Sequence, residues 1–321
     1  MMKFFVNLIT CFIPSKKIRH TIRKKYIIDK NKRNNYGIRH IYANQDAQTI
    51  IYDLLQNDAP ALICRFGGVE LRTVYHFLKH GNKKFNFDKK TVTQMSLNAG
   101  FFPSDDYHLS RFASEFLSLI KDIDALGVWN LKGEDEICNS FLPEKARLVT
   151  LDSINPVDCK LPWSKALENK KVLVIHPFEE SIKKQYQKHK LLFENKDTLP
   201  DFELITMKPV QSLADNKDDL PYENWFEALD AMKKQIDAID FDIAIIGAGA
   251  YGIFLAHHCK MLGKKAVHMG GATQILFGIT GKRWENKYDN SIGKLINEHW
   301  TRPLETEKPK GAEKVEGGCY W

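Results

Sequence analysis

The stretch FDIAIIGAGAYGIF, Phe241 to Phe254, decides the fold. Its first half is an almost unbroken apolar run, the pattern of a strand buried on both faces. Its second half is Gly-x-Gly-x-x-Gly, with Gly247, Gly249 and Gly252, and it opens into the helix-forming run YGIFLAHHCKMLG. Gly247 and Gly249 would let backbone amides approach a diphosphate, and Gly252 would let the helix pack on the strand. The helix N-terminus would add partial positive charge. A dinucleotide site also needs an acid about 20 residues further on, to hold a ribose. His268-Met269-Gly270-Gly271 stand there instead. Phosphate binding is retained, NAD is disfavoured, and a strand–helix turn without a ligand is the plain alternative.

Strand and helix patterns alternate outward from this unit. Helical spacing marks residues 46–57, 70–81, 110–123, 179–195 and 223–239. Strand patterns mark Ala61–Phe66, ALGVWN (125–130), ARLVTLDSI (146–154), KKVLVIHPF (170–178), DFELITMKPV (201–210) and KKAVHMGG (264–271). The alternation predicts an α/β, Rossmann-like fold, a mainly parallel sheet flanked by helices. The α/β domain is expected over 41–300, after a basic and apolar arm at 1–40. A polar tail at 301–321 ends in aromatic residues that would wrap back onto the body. Ligands in such sheets bind beyond the carboxyl ends of the strands. Four loops qualify: Gly67–Glu70, Asn130–Glu136, His176–Glu180 and Gly247–Gly252.

Charge is unevenly placed. Residues 1–40 hold eleven Lys/Arg against one acid, net +10, so with the chain at +7 the other 281 residues are net −3. A nucleic-acid groove needs cations within the folded body, which excludes that class of partner. The apolar run FFVNLITCFI (4–13) is too short to span a bilayer. Followed by cations, residues 1–33 read as a segment able to lie on an anionic inner membrane surface; a docked or unstructured terminus is the alternative. The six cysteines form no CxxC pair, and Cys64 and Cys259 sit in apolar segments. This usage points to a reducing, cytoplasmic setting without zinc or disulfides.

Other constellations are read against simpler roles. Arg65 ends a strand and Glu70 lies on the next helix's first turn, so both can enter one crevice. Arg suits phosphate; Glu70 would be a base, a metal ligand, or only an acid favouring the helix dipole. His176, at another strand end, suits phosphate contact or proton transfer, or is a hydrogen-bonded loop histidine. GGATQILFGITGKRW (270–284) brings Lys282 and Arg283 near a glycine loop, which suits a nucleotide diphosphate, or is a solvated basic turn. SLNAGFFPSDD (96–106) offers Asn98 to a sugar or is a loop between helices. Asp240/Asp242 and Asp122/Asp124 lie away from the crevice end. Glu134-Asp135-Glu136 is better placed but also reads as an acidic first helical turn. His257 and His258 are adjacent on a helix and point apart.

Taken together, these stretches resemble the GT-D glycosyltransferases, bacterial enzymes that build surface glycans from nucleotide sugars. RFGGVE (Arg65–Glu70) stands beside the family's Arg-Phe-Gly-Asp-Gly-Glu. KKVLVIHPFEESIKKQY and IIGAGAYGIFLAHHCKMLGKKAVHMGGAT follow in the family's order, so the likeness spans about residues 45–285. The resemblance implies a GT-D-like fold. It implies sugar transfer from a nucleoside diphosphate sugar to a surface polysaccharide or lipid-linked acceptor, by a protein peripheral on the inner membrane face. It implies catalytic roles for Glu70, Arg65 and His176. Gly67, Gly68, Gly247, Gly249, Gly252, Thr273, Lys282 and Arg283 would surround the nucleotide sugar. The family's Asp-x-Glu is associated with a divalent metal. Here Gly68 replaces the Asp and Val69 the Gly, so Glu70 alone is left as a ligand for Mn²⁺ or Mg²⁺, and no cofactor is certain. The rival readings are a catalytically inactive GT-D-like binding module in glycan assembly and an NAD(P)-dependent oxidoreductase.

Overall fold

The computed structural model describes residues 34–80, 86–212, 220–285, 292–314 and 317–321. The membrane contact expected of residues 1–33, and Cys11, lie outside the described residues. The chain runs β1 (Ile41–Tyr42), α1 (Asn44–Gln56), β2 (Ala61–Arg65), α2 (Gly68–His80), α3 (Lys89–Ala99), α4 (Asp106–Leu119), β3 (Ala125–Val128) and α5 (Glu134–Phe141). It continues β4 (Arg147–Thr150), β5 (Lys171–Ile175), α6 (Glu179–Tyr186), β6 (Glu203–Met207), α7 (Trp225–Asp237), β7 (Ile243–Ile246), α8 (Gly252–Met261), β8 (Lys265–His268), α9 (Thr273–Leu276) and α10 (Lys282–Glu285). The eight strands form one sheet in the order β1-β4-β3-β2-β8-β7-β5-β6, with every described pair parallel. The molecule is therefore α/β and Rossmann-like, a parallel sheet flanked by helices.

The apolar runs follow from burial on both faces. In β5, Leu173 and Ile175 enter one core while Val172 and Val174 enter the other; in β7, Ala244 and Ile246 oppose Ile243 and Ile245 in the same way. The first layer packs α2, α4, α7 and α8 around an aromatic cluster in which Trp225 and Tyr251 stack at 4.6 Å between centroids. The second layer holds α1, α6 and α9 with Trp163, Trp300 and Trp321. Residues 34–40 also join the body. Tyr36 is buried, and Arg39 donates to the carbonyls of Leu142 and Pro143.

α7 shows how a local signal fixes an element. Asn224 accepts from the amides of Phe226 (3.0 Å) and Glu227 (3.1 Å), and Glu227 accepts in return from the Glu223 amide (2.9 Å). Reciprocal capping of this kind satisfies amides that a helix start leaves unpaired. Asn224→Ala is expected to cost about 1 kcal/mol, read as a lower urea midpoint at unchanged slope.

Two expectations are corrected. The helix expected over 179–195 ends at Tyr186. Leu192 and Phe193 are needed in the second core, and the Leu192 carbonyl accepts from Trp300 Nε1 at 3.0 Å. A straight helix would carry them past it. The second correction is that Ser96–Ala99 is no loop but the last turn of α3. Only Thr91, Met95 and Ala99 of α3 are buried, a stripe too thin to stand out as helical periodicity.

Connections leave adjacent strand ends toward opposite layers. The chain goes from β2 and β7 into the first layer, and from β8 and β5 into the second. In open α/β sheets such reversals are where ligands bind, beyond the carboxyl ends of the strands.

Candidate functional site

Arg65, the last residue of β2, stands at the carboxyl end of the sheet. Its guanidinium lies over the Trp129 ring at 4.2 Å, a cation–π contact made possible because β3 runs parallel beside β2. Burial draws the guanidinium below its ordinary pKa. The charges of Glu70 and Tyr320 oppose that shift, and the neighbouring charge of Arg283 adds to it. Arg283 is thus a second cation within electrostatic reach of Arg65. The Glu70 carboxylate turns back over Gly67, where a methyl group would fall 2.0 Å from Glu70 Oε2. Glycine at 67 is what admits that conformation. At Gly68 a methyl would meet only Leu131 (3.8 Å) and Trp129 (4.0 Å), ordinary contacts.

The glycine turn after β7 divides by role. The Gly247 amide donates to Ile175 O at 2.9 Å, extending the ladder to β5. A methyl there would lie 2.6 Å from the His176 ring and 2.7 Å from both Gly270 O and Thr273 Oγ1. Gly252 faces His268, whose Cε1 would be 2.1 Å from an added methyl. Gly249 has a left-handed φ of +52° and faces open space at the exposed tip. Thr273 is wholly buried and its hydroxyl has no partner. Gly270 joins the two halves: its carbonyl faces Gly247, and its α-carbon lies against Arg65.

Both crevice histidines are buried and neutral. His176 Nδ1 accepts the Phe178 amide at 3.0 Å, so its proton sits on Nε2. His268 Nδ1 lies 3.2 Å from Ile246 O and donates to it, which puts its lone pair on Nε2. Desolvation brings both pKa values down to about 3, helped at His268 by the charge of Arg65.

The residues after 300 close the crevice. Glu307 accepts from the amides of Glu180 (2.7 Å) and Ser181 (3.2 Å) and from the Ser181 hydroxyl, so the α6 N-terminus holds an internal carboxylate. Arg283 Nη1 donates to Tyr320 Oη at 2.9 Å, with its guanidinium 4.6 Å from that ring. Trp321 packs edge-on against Phe178 at 5.8 Å. Lys282 is exposed.

Arg65 therefore lies on one side of Gly270, with Arg283 reaching it through its charge, and His176, Gly247 and Thr273 lie on the other; Glu70 folds over Gly67. The Asp pairs lie at the amino ends of strands. Asp242 accepts the Lys171 amide (2.8 Å), Asp240 pairs with Lys171 Nζ (2.5 Å), and Asp124 accepts the Leu62 amide (2.8 Å) and pairs with Lys260 (2.6 Å). Asp122 and Asp237 bind His257 (2.9 Å) and His258 (2.7 Å). Asn98 is half-buried on α3.

The donor set does not suit the metal that the family pattern left open. Among the described residues, no group of three or more His, Cys, Asp or Glu side chains is disposed to hold an ion. Glu134, the nearest candidate, is fully buried and accepts from Tyr36 Oη (2.9 Å) and the amides of Trp129 (3.1 Å) and Leu131 (3.1 Å). Burial raises its pKa, against those hydrogen bonds. Glu136 binds Tyr75 and Lys79 instead.

Reading the sequence alone missed Trp129, His268, Glu307 and the placement of Tyr320. Trp129 had a usable signal, as an aromatic directly after a strand. Glu307 had none. Among the described residues no helix is long and apolar enough to cross a membrane, and the described cysteines are free thiols. Compared with known proteins, the chain matches no family model, no curated protein and no solved structure.

Proposed function

We propose that the chain is a glycosyltransferase of GT-D-like character, taking its sugar from a nucleoside diphosphate donor and passing it to a glycan or lipid-linked acceptor. The observation that carries this reading is Arg65 at the carboxyl end of β2, its guanidinium set over Trp129 and facing Gly270 after β8, with Arg283 close enough to depress its pKa. In the reaction the bond between the anomeric carbon and the diphosphate oxygen breaks, and a bond to the acceptor oxygen forms. The diphosphate leaves with added negative charge, and two guanidiniums held in place stabilise it without reorganisation. Glu70 takes the acceptor hydroxyl's proton. Neutral His176 and buried Thr273 shape the floor around Gly247. No step is assigned to a metal ion.

A specific observation favours one rival, the non-catalytic module. No acid cluster suited to a metal stands among the described residues where the family has Asp-x-Glu. Such a module would bind sugar or partner without donor turnover.

The test is a thermal-shift panel with UDP, GDP, CMP, UDP-sugars and NAD(H), each with Mn²⁺ and with EDTA. A nucleoside diphosphate at 100 times its Kd is expected to add about 2.7 kcal/mol, a shift of several degrees that survives EDTA. A response to NAD(H) alone would replace this reading with the oxidoreductase. Nucleotide binding without donor consumption in the presence of acceptor would favour the module.

A further inference from the structure

The segment Gly317–Trp321 lies within the proposed diphosphate site. The Tyr320 ring lies where methyls added at Gly271 and Gly281 would strike it or its backbone, 2.3 Å from Tyr320 Cε1 and 2.6 Å from Tyr320 O. Its hydroxyl accepts from Arg283 at 2.9 Å. The Cys319 carbonyl accepts the Arg283 amide at 2.9 Å, and the Tyr320 carbonyl accepts from Gln274 Nε2 at 3.3 Å. The phenol therefore sits on Arg283 and against Gly271, beside the Gly270 that faces Arg65, on the side proposed for the phosphate.

Two features make this a displaceable occupant. Gly317 and Gly318 are both left-handed, with φ of +72° and +70°, and nothing lies within 4 Å of the side-chain direction at Gly317. They form a sharp turn of residues that change conformation at low cost. The closed arrangement also leaves buried polar atoms without partners on both sides of the contact. They are Trp321 Nε1 on the segment, and Gln274 Oε1, Thr273 Oγ1 and Thr280 Oγ1 on the wall. Each is a cost that a well-paired structural tail would not carry.

Resting on the diphosphate reading, we propose that residues 317–321 are an in-cis plug. Tyr320 holds the Arg283 guanidinium that would bind phosphate, and a nucleoside diphosphate binds by expelling it. Phosphate oxygens are stronger acceptors for guanidinium than a neutral phenol, so the exchange favours the ligand. Affinity measured on the closed protein is reduced by the fraction of molecules in which the site is open.

The experiment uses the full chain with UDP and inorganic pyrophosphate as probes. Hydrogen exchange resolved by mass spectrometry is followed in peptides covering 281–285 and 317–321, beside calorimetric affinities for wild type, Tyr320→Phe and Tyr320→Ala. The plug predicts faster exchange in both peptides on adding UDP, because the Arg283 amide loses its acceptor. It also predicts affinity at least about ten-fold tighter in Tyr320→Ala, the size set by the closed fraction. UDP binding to wild type with slower or unchanged exchange in these peptides overturns the plug and leaves the diphosphate site standing. If no form binds UDP or pyrophosphate, the diphosphate site falls and the plug with it. The exchange measurement needs only wild type, so a poorly folding variant does not spoil the test.

Discussion

Arg65→Met is expected to weaken UDP binding about 100-fold or more while the protein stays folded. A charge-assisted hydrogen bond to an anion contributes about 1.5–3 kcal/mol, and 2.7 kcal/mol corresponds to about 100-fold. Arg65 is the half-buried cation whose position is set by Trp129 at 4.2 Å, and so it is the better pre-organised of the two guanidiniums. Methionine keeps the length and the packing on the indole but removes the charge. Arg65→Lys should fall between the two, since an ammonium on a flexible stem cannot present two parallel donors. Calorimetric titration of UDP reads the effect, and urea unfolding checks the fold. Undiminished affinity in Arg65→Met would place the diphosphate elsewhere.

Acid is expected to unfold the protein well before its carboxylates protonate. His176 and His268 have folded pKa values of about 3, against an ordinary 6.5. Between those values the unfolded chain binds two protons that the folded chain refuses. Stability from this pair is therefore whole above about pH 6.5 and lost as pH falls, at up to roughly 2.7 kcal/mol per pH unit. From pH 7 to pH 5 the loss comes to about 4 kcal/mol. The lowered pKa of His76 acts in the same direction. Glu134, raised by burial, acts oppositely: its contribution is present below the ordinary carboxylate pKa and is lost as pH rises through its folded value. Urea midpoints at pH 7, 6 and 5 measure the slope, and His268→Gln should remove about half of it. A flat profile would mean that water reaches both rings.

Much of the site was legible residue by residue. Arg65 and Glu70 were expected in one crevice because the strand ends at Arg65 and the following helix has Glu70 in its first turn. Gly252 was read as a packing glycine, and His268 does lie against it. Gly247 was read as opening its amide to phosphate, yet that amide is bonded to Ile175. The choice between those fates depends on which strand lies beside β7, and no local pattern states it. Glu134 was read with Asp135 and Glu136 as a well-placed acid or an acidic first helical turn, and it does lie in the first turn of α5. It is buried because Tyr36, 98 residues away, closes over it.

By itself the sequence determined the parallel α/β layering, through near-continuous apolar runs between helical stripes, and the positions of the strand-end turns, through glycines. Those signals are local: they report backbone conformation and which faces must leave water. The tertiary structure alone decided that β2 lies beside β8, which brings Arg65 to Gly270 and into the field of Arg283. It alone decided that Tyr320 packs on Arg283 and against Gly271. Strand order is chosen by the summed burial of both sheet faces, a property of the whole chain, so residues that meet only across it carry no mark of the meeting in their own neighbourhoods.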